Sequence, residues 1–145
     1  MFRTFRRKLL KMFREFLVYH HGSLEFRAKI LTLMVAVDGK LSECEEKKLR
    51  EIACQIYEED KERAELLVDT VKEYLNKIVT KNGLDFEDLV QLVEKETKEV
   101  KRFSSKINVE LFESFQECLE NEEDKLFQQR VLEFLARLKE EYGEH

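Results

Sequence analysis

The chain has 145 residues, 43% of them hydrophobic and 39% charged, with a formal net charge of −5. That is long enough for one domain with a core of its own and too apolar for a disordered chain. No apolar run approaches the ~20 residues of a membrane-spanning helix. Proline is absent, only four glycines occur, and Lys, Glu and Leu abound, which favours helix over sheet and suits a heat-tolerant source.

The charge is divided along the chain. Residues 2–20 carry six cations against Glu15 alone, a net of +5, and the remainder nets −10. Within the basic stretch Phe2, Phe5, Leu9, Met12, Phe13 and Phe16 recur at three- and four-residue steps, with Arg3, Arg6, Arg7, Lys8, Lys11 and Arg14 filling the other side. This predicts an amphipathic helix over residues 1–22 that stops near Gly22. The basic stretch lacks the uninterrupted apolar core of a signal peptide.

Ser23 is then placed to cap a second helix with Phe26, Ile30, Leu33, Met34 and Val37 as its apolar stripe, closed by Asp38-Gly39. Ser42 stands three residues before Glu45, the spacing of a capping box, and Leu49, Ile52, Ala53 and Ile56 carry the next buried face. Asp60 is placed to cap a helix with the stripe Ala64, Leu67, Val68, Val71, Leu75 and Ile78, ending at Asn82-Gly83. Asp85 caps the following one, with Phe86, Leu89, Val90, Val93 and Val100 inward. Ser104, Ser105 or Asn108 starts a helix facing Phe112, Phe115 and Leu119 to the core. The last runs from about Asp124 to Tyr142, with Val131, Phe134, Leu135 and Leu138 inward. The fold class expected is all-α, a compact bundle of about six or seven helices.

Two stretches share a pattern. A shift of 82 positions sets Ile30 on Phe112, Leu33 on Phe115, Val37 on Leu119, Leu49 on Val131, Ile52 on Phe134 and Ile56 on Leu138. The turn aligns as well: Asp38 on Glu120, Gly39 on Asn121, Ser42 on Asp124. Asn is the second choice for a left-handed residue, and Asp caps as well as Ser. A degenerate helix–turn–helix pseudo-repeat around a common core is expected.

The stretch "LMVAVDGKLSECEEKKLREIA", residues 33–53, resembles the hallmark of the tellurite-resistance TerB-like family: small apolar residues, Asp-Gly, Ser, Glu, then an amphipathic helix. In that family the hallmark tends to recur near the C-terminus, where the second copy lies here. The resemblance covers residues 24–142, so a TerB-like domain would occupy residues 23–145 and the basic helix would be an addition. It implies a compact all-helical domain, known both alone and beside a J-domain in a co-chaperone. It also implies a proposed metal-associated acidic site and, for some members, membrane-associated stress functions. The acidic hallmark maps to Asp38 and Glu45 only, since Glu120, Asn121 and Phe127 stand at the matching places of the second copy.

Two readings of the Asp38 turn compete. In one, Asp38 and Glu45, with Glu43 or Glu46, hold Ca²⁺ or Mg²⁺. Ca²⁺ takes about 6–8 oxygen ligands, more than these supply, and Lys40 and Ser42 with no glycine after them depart from an EF-hand. In the other, the turn joins two helices and its carboxylates favour the positive end of the second. The basic helix also has more than one reading. Phe2, Phe5, Arg6, Arg7, Lys8, Lys11, Phe13 and Arg14 would pack on the acidic body, on a protein partner or on a second copy. Alternatively they would lie on an anionic membrane, where each Lys or Arg contributes roughly 1 kcal/mol. Nucleic acid is disfavoured because the phenylalanines would have nowhere to bury.

Cys44, Cys54 and Cys118 are odd in number and scattered. Neither a zinc cluster nor a disulfide framework is expected, Cys54 and Cys118 are read as buried thiols, and a reducing, cytoplasmic setting follows. His20 and His21 are adjacent, so on a helix they point apart and suit a helix end better than a metal. No G-x-S-x-G, phosphate loop or H-E-x-x-H occurs, so no catalytic residues and no organic cofactor are assigned. The function expected is a non-enzymatic TerB-like binding or adaptor module, stress- or envelope-linked, with a candidate divalent-cation site at Asp38. The alternative is a peripheral protein anchored at the inner membrane face by its basic helix.

Overall fold

A computed structural model describes residues 22–143 except Asn82, with Asp38 described through its backbone alone. The expected basic helix, with Phe2, Phe5, Arg6, Arg7, Lys8, Lys11, Phe13 and Arg14, and the histidine pair lie outside the described residues. These contain six α-helices and three 3-10 helices and no strand. In chain order they are α1 (Gly22–Val35), a 3-10 turn (Ala36–Asp38), α2 (Glu43–Ile56), α3 (Lys61–Val79), α4 (Phe86–Glu99), a 3-10 helix (Lys101–Lys106), α5 (Val109–Phe112), a 3-10 helix (Glu113–Cys118) and α6 (Glu122–Tyr142).

The expected stripe on α1 is only part of what it buries. Leu24, Ala28, Leu31 and Val35 are buried as well as Phe26, Ile30, Leu33 and Met34, so the helix buries apolar side chains on most of its circumference. It packs against α3, α4 and α6. The few polar groups along it are matched. Thr32 returns its hydroxyl to the Ala28 carbonyl at 2.7 Å, Tyr74 donates to the Glu25 carboxylate, and Lys29 pairs with Glu96 at 2.9 Å. Gln128, fully buried on α6, donates to the Met34 carbonyl at 2.9 Å, one of the carbonyls that the end of α1 leaves without an intrahelical partner. Ser23 is not the cap expected of it, because α1 already includes Gly22.

Asp60 and Asp85 do cap. Asp60 accepts from the Arg63 amide at 3.0 Å and Asp85 from the Glu87 amide at 3.3 Å. Between them α3 stops at Val79, and the chain turns through Lys81 and Gly83, both at positive φ. Of the three residues expected to start the next helix, Asn108 does so, accepting from the Leu111 amide at 3.1 Å. Ser104 and Ser105 belong to the preceding 3-10 helix.

The two similar stretches fold alike in outline. Each is a helix that tightens to 3-10 geometry, turns, and enters a capped helix. Ile30, Leu33, Phe112 and Phe115 are all buried. The turns differ in detail from the alignment. Asn121 has φ −86 and is the N-cap of α6, accepting from the Glu123 amide at 2.7 Å. It is not a left-handed residue, and Asp124 lies inside the helix rather than capping it. In the second copy the 3-10 segment runs on to Cys118 and Leu119 is already extended, so no left-handed residue is needed to reverse the chain.

The cysteine expectation is overturned. Cys44, in the first turn of α2, and Cys118, at the end of the 3-10 helix Glu113–Cys118, form a disulfide with α-carbons 5.5 Å apart. The Lys48–Glu117 ion pair at 2.9 Å spans the same junction. Cys54 is a free, exposed thiol, because the inward face of α2 is taken by Leu49, Ile52 and Ala53. Odd number and wide spacing say nothing about which side chains the fold brings together, so they do not support a reducing compartment.

Candidate functional site

The Asp38 turn is built by three local devices. The 3-10 turn is closed by Gly39, whose φ of 74 lies in the left-handed region and whose amide donates to the Ala36 carbonyl at 3.2 Å. Ser42 and Glu45 form the expected capping box. The Glu45 amide donates to Ser42 Oγ at 3.1 Å, and the Ser42 amide donates to Glu45 Oε1 at 3.2 Å. Leu41 packs on the core ahead of the cap. Glu45 is 1% exposed. Its carboxylate is buried where the unpaired amides of α2 and the helix dipole favour a negative charge.

The neighbouring carboxylates are engaged elsewhere. Glu46 accepts from Lys72 at 2.6 Å and from Arg50 at 3.1 Å, and these partners, Lys72 foremost, hold its carboxyl below the usual glutamate range. Glu43 is exposed. Among the described residues no three His, Cys, Asp or Glu side chains gather as metal ligands. The Asp38 side chain is outside the description. With Glu45 serving the cap and Glu46 serving two cations, the described carboxylates do not fit an oxygen shell of the size Ca²⁺ takes.

The turn therefore carries a joint prediction. Gly39→Val should destabilise by at least ~1 kcal/mol, since a β-branched residue is forced to positive φ. Ser42→Ala should cost about 0.5–2 kcal/mol as a lost cap. Millimolar Ca²⁺ or Mg²⁺ should leave the melting curves of the parent and of Asp38→Asn where they were. A cation-dependent rise in the parent that Asp38→Asn removes would restore the metal reading.

A second feature lies at the N-terminal ends of α4 and α6. Leu126 and Phe127 are 57% and 40% exposed. The Phe127 ring meets Phe86 with centroids 5.3 Å apart. Phe86 in turn lines an open cleft of about 680 Å³ with Ile78, Leu84, Lys81, Asp85 and Asp88. Exposed apolar side chains gathered beside a cleft are a common mark of a docking surface. The sequence held one signal of this. Phe127 stands where the repeat would put the counterpart of Glu45, an aromatic in place of a capping group.

A third feature is cationic. Gly22 and Arg102 line the same small cleft. Arg27 and Arg63 both lie over the Tyr57 ring, 5.4 and 5.8 Å from its centroid. Arg27, Arg63 and Arg102 thus line one cleft, although residues outside 2–20 net −10. No helix among the described residues is long and apolar enough to cross a membrane. Comparisons with protein-family models, with curated proteins and with solved structures return no match.

Proposed function

We propose that the chain is a non-enzymatic helical binding module of the TerB-like kind, an adaptor that works by docking a protein partner or a second copy of itself. The observation that carries this is the exposed Phe127 ring set against Phe86, which lines the cleft, with Leu126 exposed beside it in sequence. Aromatic side chains, phenylalanine among them, are enriched at protein interfaces relative to the rest of the surface. A stress- or envelope-linked setting rests on the resemblance of residues 33–53 alone.

A second reading, peripheral attachment to an anionic membrane face, is favoured by the +5 charge of residues 2–20 and by the arginines Arg27, Arg63 and Arg102 gathered in one cleft. Anionic lipid concentrates on the cytoplasmic leaflet. A cytoplasmic setting and the Cys44–Cys118 bond go together in a heat-tolerant source, since intracellular proteins of such organisms do carry disulfides. A photo-cross-linker at Arg130, one turn beyond Leu126, tests the first reading in cells. It should give a discrete adduct that Leu126→Glu with Phe127→Glu abolishes. Cross-linking indifferent to that change sinks the docking reading. Sedimentation with phosphatidylserine vesicles that is lost on reversing Arg6, Arg7 and Lys8 would move the function to the second.

A further inference from the structure

We propose that the cleft between the start of α1, Tyr57 and the 3-10 helix Lys101–Lys106 is an anion site that takes a phosphate group. The inference does not rest on the docking face. The cleft measures about 260 Å³ and is lined by Ser23, Arg27, Tyr57, Arg63 and Arg102. These residues come from three helices and from the end of a fourth, α2, which terminates at Tyr57.

Charge accounting makes the site unusual. The chain has 31 acidic and 26 basic residues, so a cation has more than enough carboxylates to pair with. Arg63 does pair, with Asp60 at 3.7 Å. Among the described residues Arg27 donates to the Tyr57 hydroxyl at 3.2 Å and lies over the Tyr57 ring. Arg102 lies over the Phe103 ring, 5.0 Å from its centroid. Among the described residues neither guanidinium has a carboxylate partner. Arg27 is half-buried, and so is Lys106, which follows on the same 3-10 helix as Arg102. Burial first, then the positive charges of Arg27 and Arg102, push the Lys106 ammonium pKa down. Three cations from two elements therefore share one field, none of them paired with a carboxylate of the described residues, and like charges held together this way favour an anion among them.

The donor set fits phosphate better than a carboxylate. Guanidinium forks match the paired oxygens of phosphate, and a phosphate monoester carries about −1.5 to −2 charges to set against several cations. Tyr57 already accepts from Arg27, so its own proton is left to donate, and the Ser23 hydroxyl adds another donor at the rim. The cleft is below the ~300–1,000 Å³ of pockets that enclose drug-sized ligands. It would hold the phosphate and little of what is attached. Two sources share that chemistry: a small soluble phosphate ester and the headgroup of a phospholipid.

The test uses the full chain with three probes: inorganic phosphate, glycerol 3-phosphate, and phosphatidylcholine vesicles containing phosphatidic acid. Melting and titration calorimetry follow the soluble probes at matched ionic strength against sodium chloride, and sedimentation follows the vesicles. Arg102→Gln is the main variant, because the side chain is exposed and its loss should not disturb folding. Arg137→Gln, on the exposed surface of α6, controls for net charge. Saturable binding of phosphate or glycerol 3-phosphate, weakened about tenfold by Arg102→Gln and not by Arg137→Gln, is the result expected for a soluble ester. The same tenfold loss seen only with the vesicles assigns the site to a headgroup. Either supports the anion site. Binding absent for all three probes, or weakened equally by both variants, overturns it. Arg27→Gln should reproduce the Arg102→Gln effect, and a Tyr57 ring resonance that shifts on adding phosphate to the parent and not to Arg102→Gln locates the anion without relying on stability.

Discussion

Breaking the Cys44–Cys118 bond is expected to lower the free energy of unfolding by about 4 kcal/mol, by the loop-closure entropy of so long a loop. The two cysteines are 74 residues apart, so in the unfolded chain the bond removes the freedom of roughly half the molecule. The native side of the comparison should change little. Leu49 and Phe115, near the two ends of the bond, remain in the core. The Lys48–Glu117 pair remains as well, although its glutamate side chain is 70% exposed and so exposed a pair contributes little. Denaturant midpoints of the parent with and without a reductant, and of the variant with both Cys44→Ser and Cys118→Ser, would measure the effect. Reduced parent and double variant should agree, and Cys54→Ser should leave the midpoint alone. A parent indifferent to reductant would mean that this junction is held by packing alone.

That bond marks the boundary of what the sequence makes legible. The helices α2, α3, α4 and α5 were readable because each carries two agreeing signals, an apolar period and a capping residue. Ser42 with Glu45, Asp60, Asp85 and Asn108 all accept the hydrogen bonds their positions suggest. The 3-10 stretches were not, since Phe112, Phe115 and Leu119 keep three- and four-residue steps in either helix type. The choice between Asn121 and Asp124 as the cap of α6 depends on where the preceding 3-10 segment lets go, which no propensity records. The Asp38 turn was legible as a joint because everything it does is local. The pairing of Cys44 with Cys118 and the gathering of Arg27, Arg63, Arg102 and Lys106 are tertiary. The four cations are spread over 80 positions with no basic run among them, and only the packing of α1 against the rest of the bundle makes them neighbours.

Phe115→Ala is expected to cost about 3–5 kcal/mol, the usual toll of emptying a phenylalanine site in a core that cannot collapse around the gap. Phe115 is fully buried, as is Leu33, its counterpart 82 positions earlier. It packs the middle of a short segment that the Cys44–Cys118 bond anchors at one end and the buried Phe112 ring at the other. The 3-10 helix Glu113–Cys118 is six residues long and follows an α-helix of four, far below the length at which a helix persists by its own hydrogen bonds. Leu33 belongs to a 14-residue helix packed on three others, so Leu33→Ala should fall in the range of about 2–5 kcal/mol by the same reasoning. Both residues belong to one continuous apolar cluster. Each variant should therefore shift a single unfolding transition, with the slope against denaturant unchanged. Leu126→Ala, at a site 57% exposed, should stay within about 0.5 kcal/mol of the parent. The comparison bears directly on the pseudo-repeat. If Phe115→Ala costs less than about 1 kcal/mol, or splits the transition in two, then the second helix–turn–helix unit is an appendage on the first, because half of a shared core cannot lose a fully buried ring so cheaply.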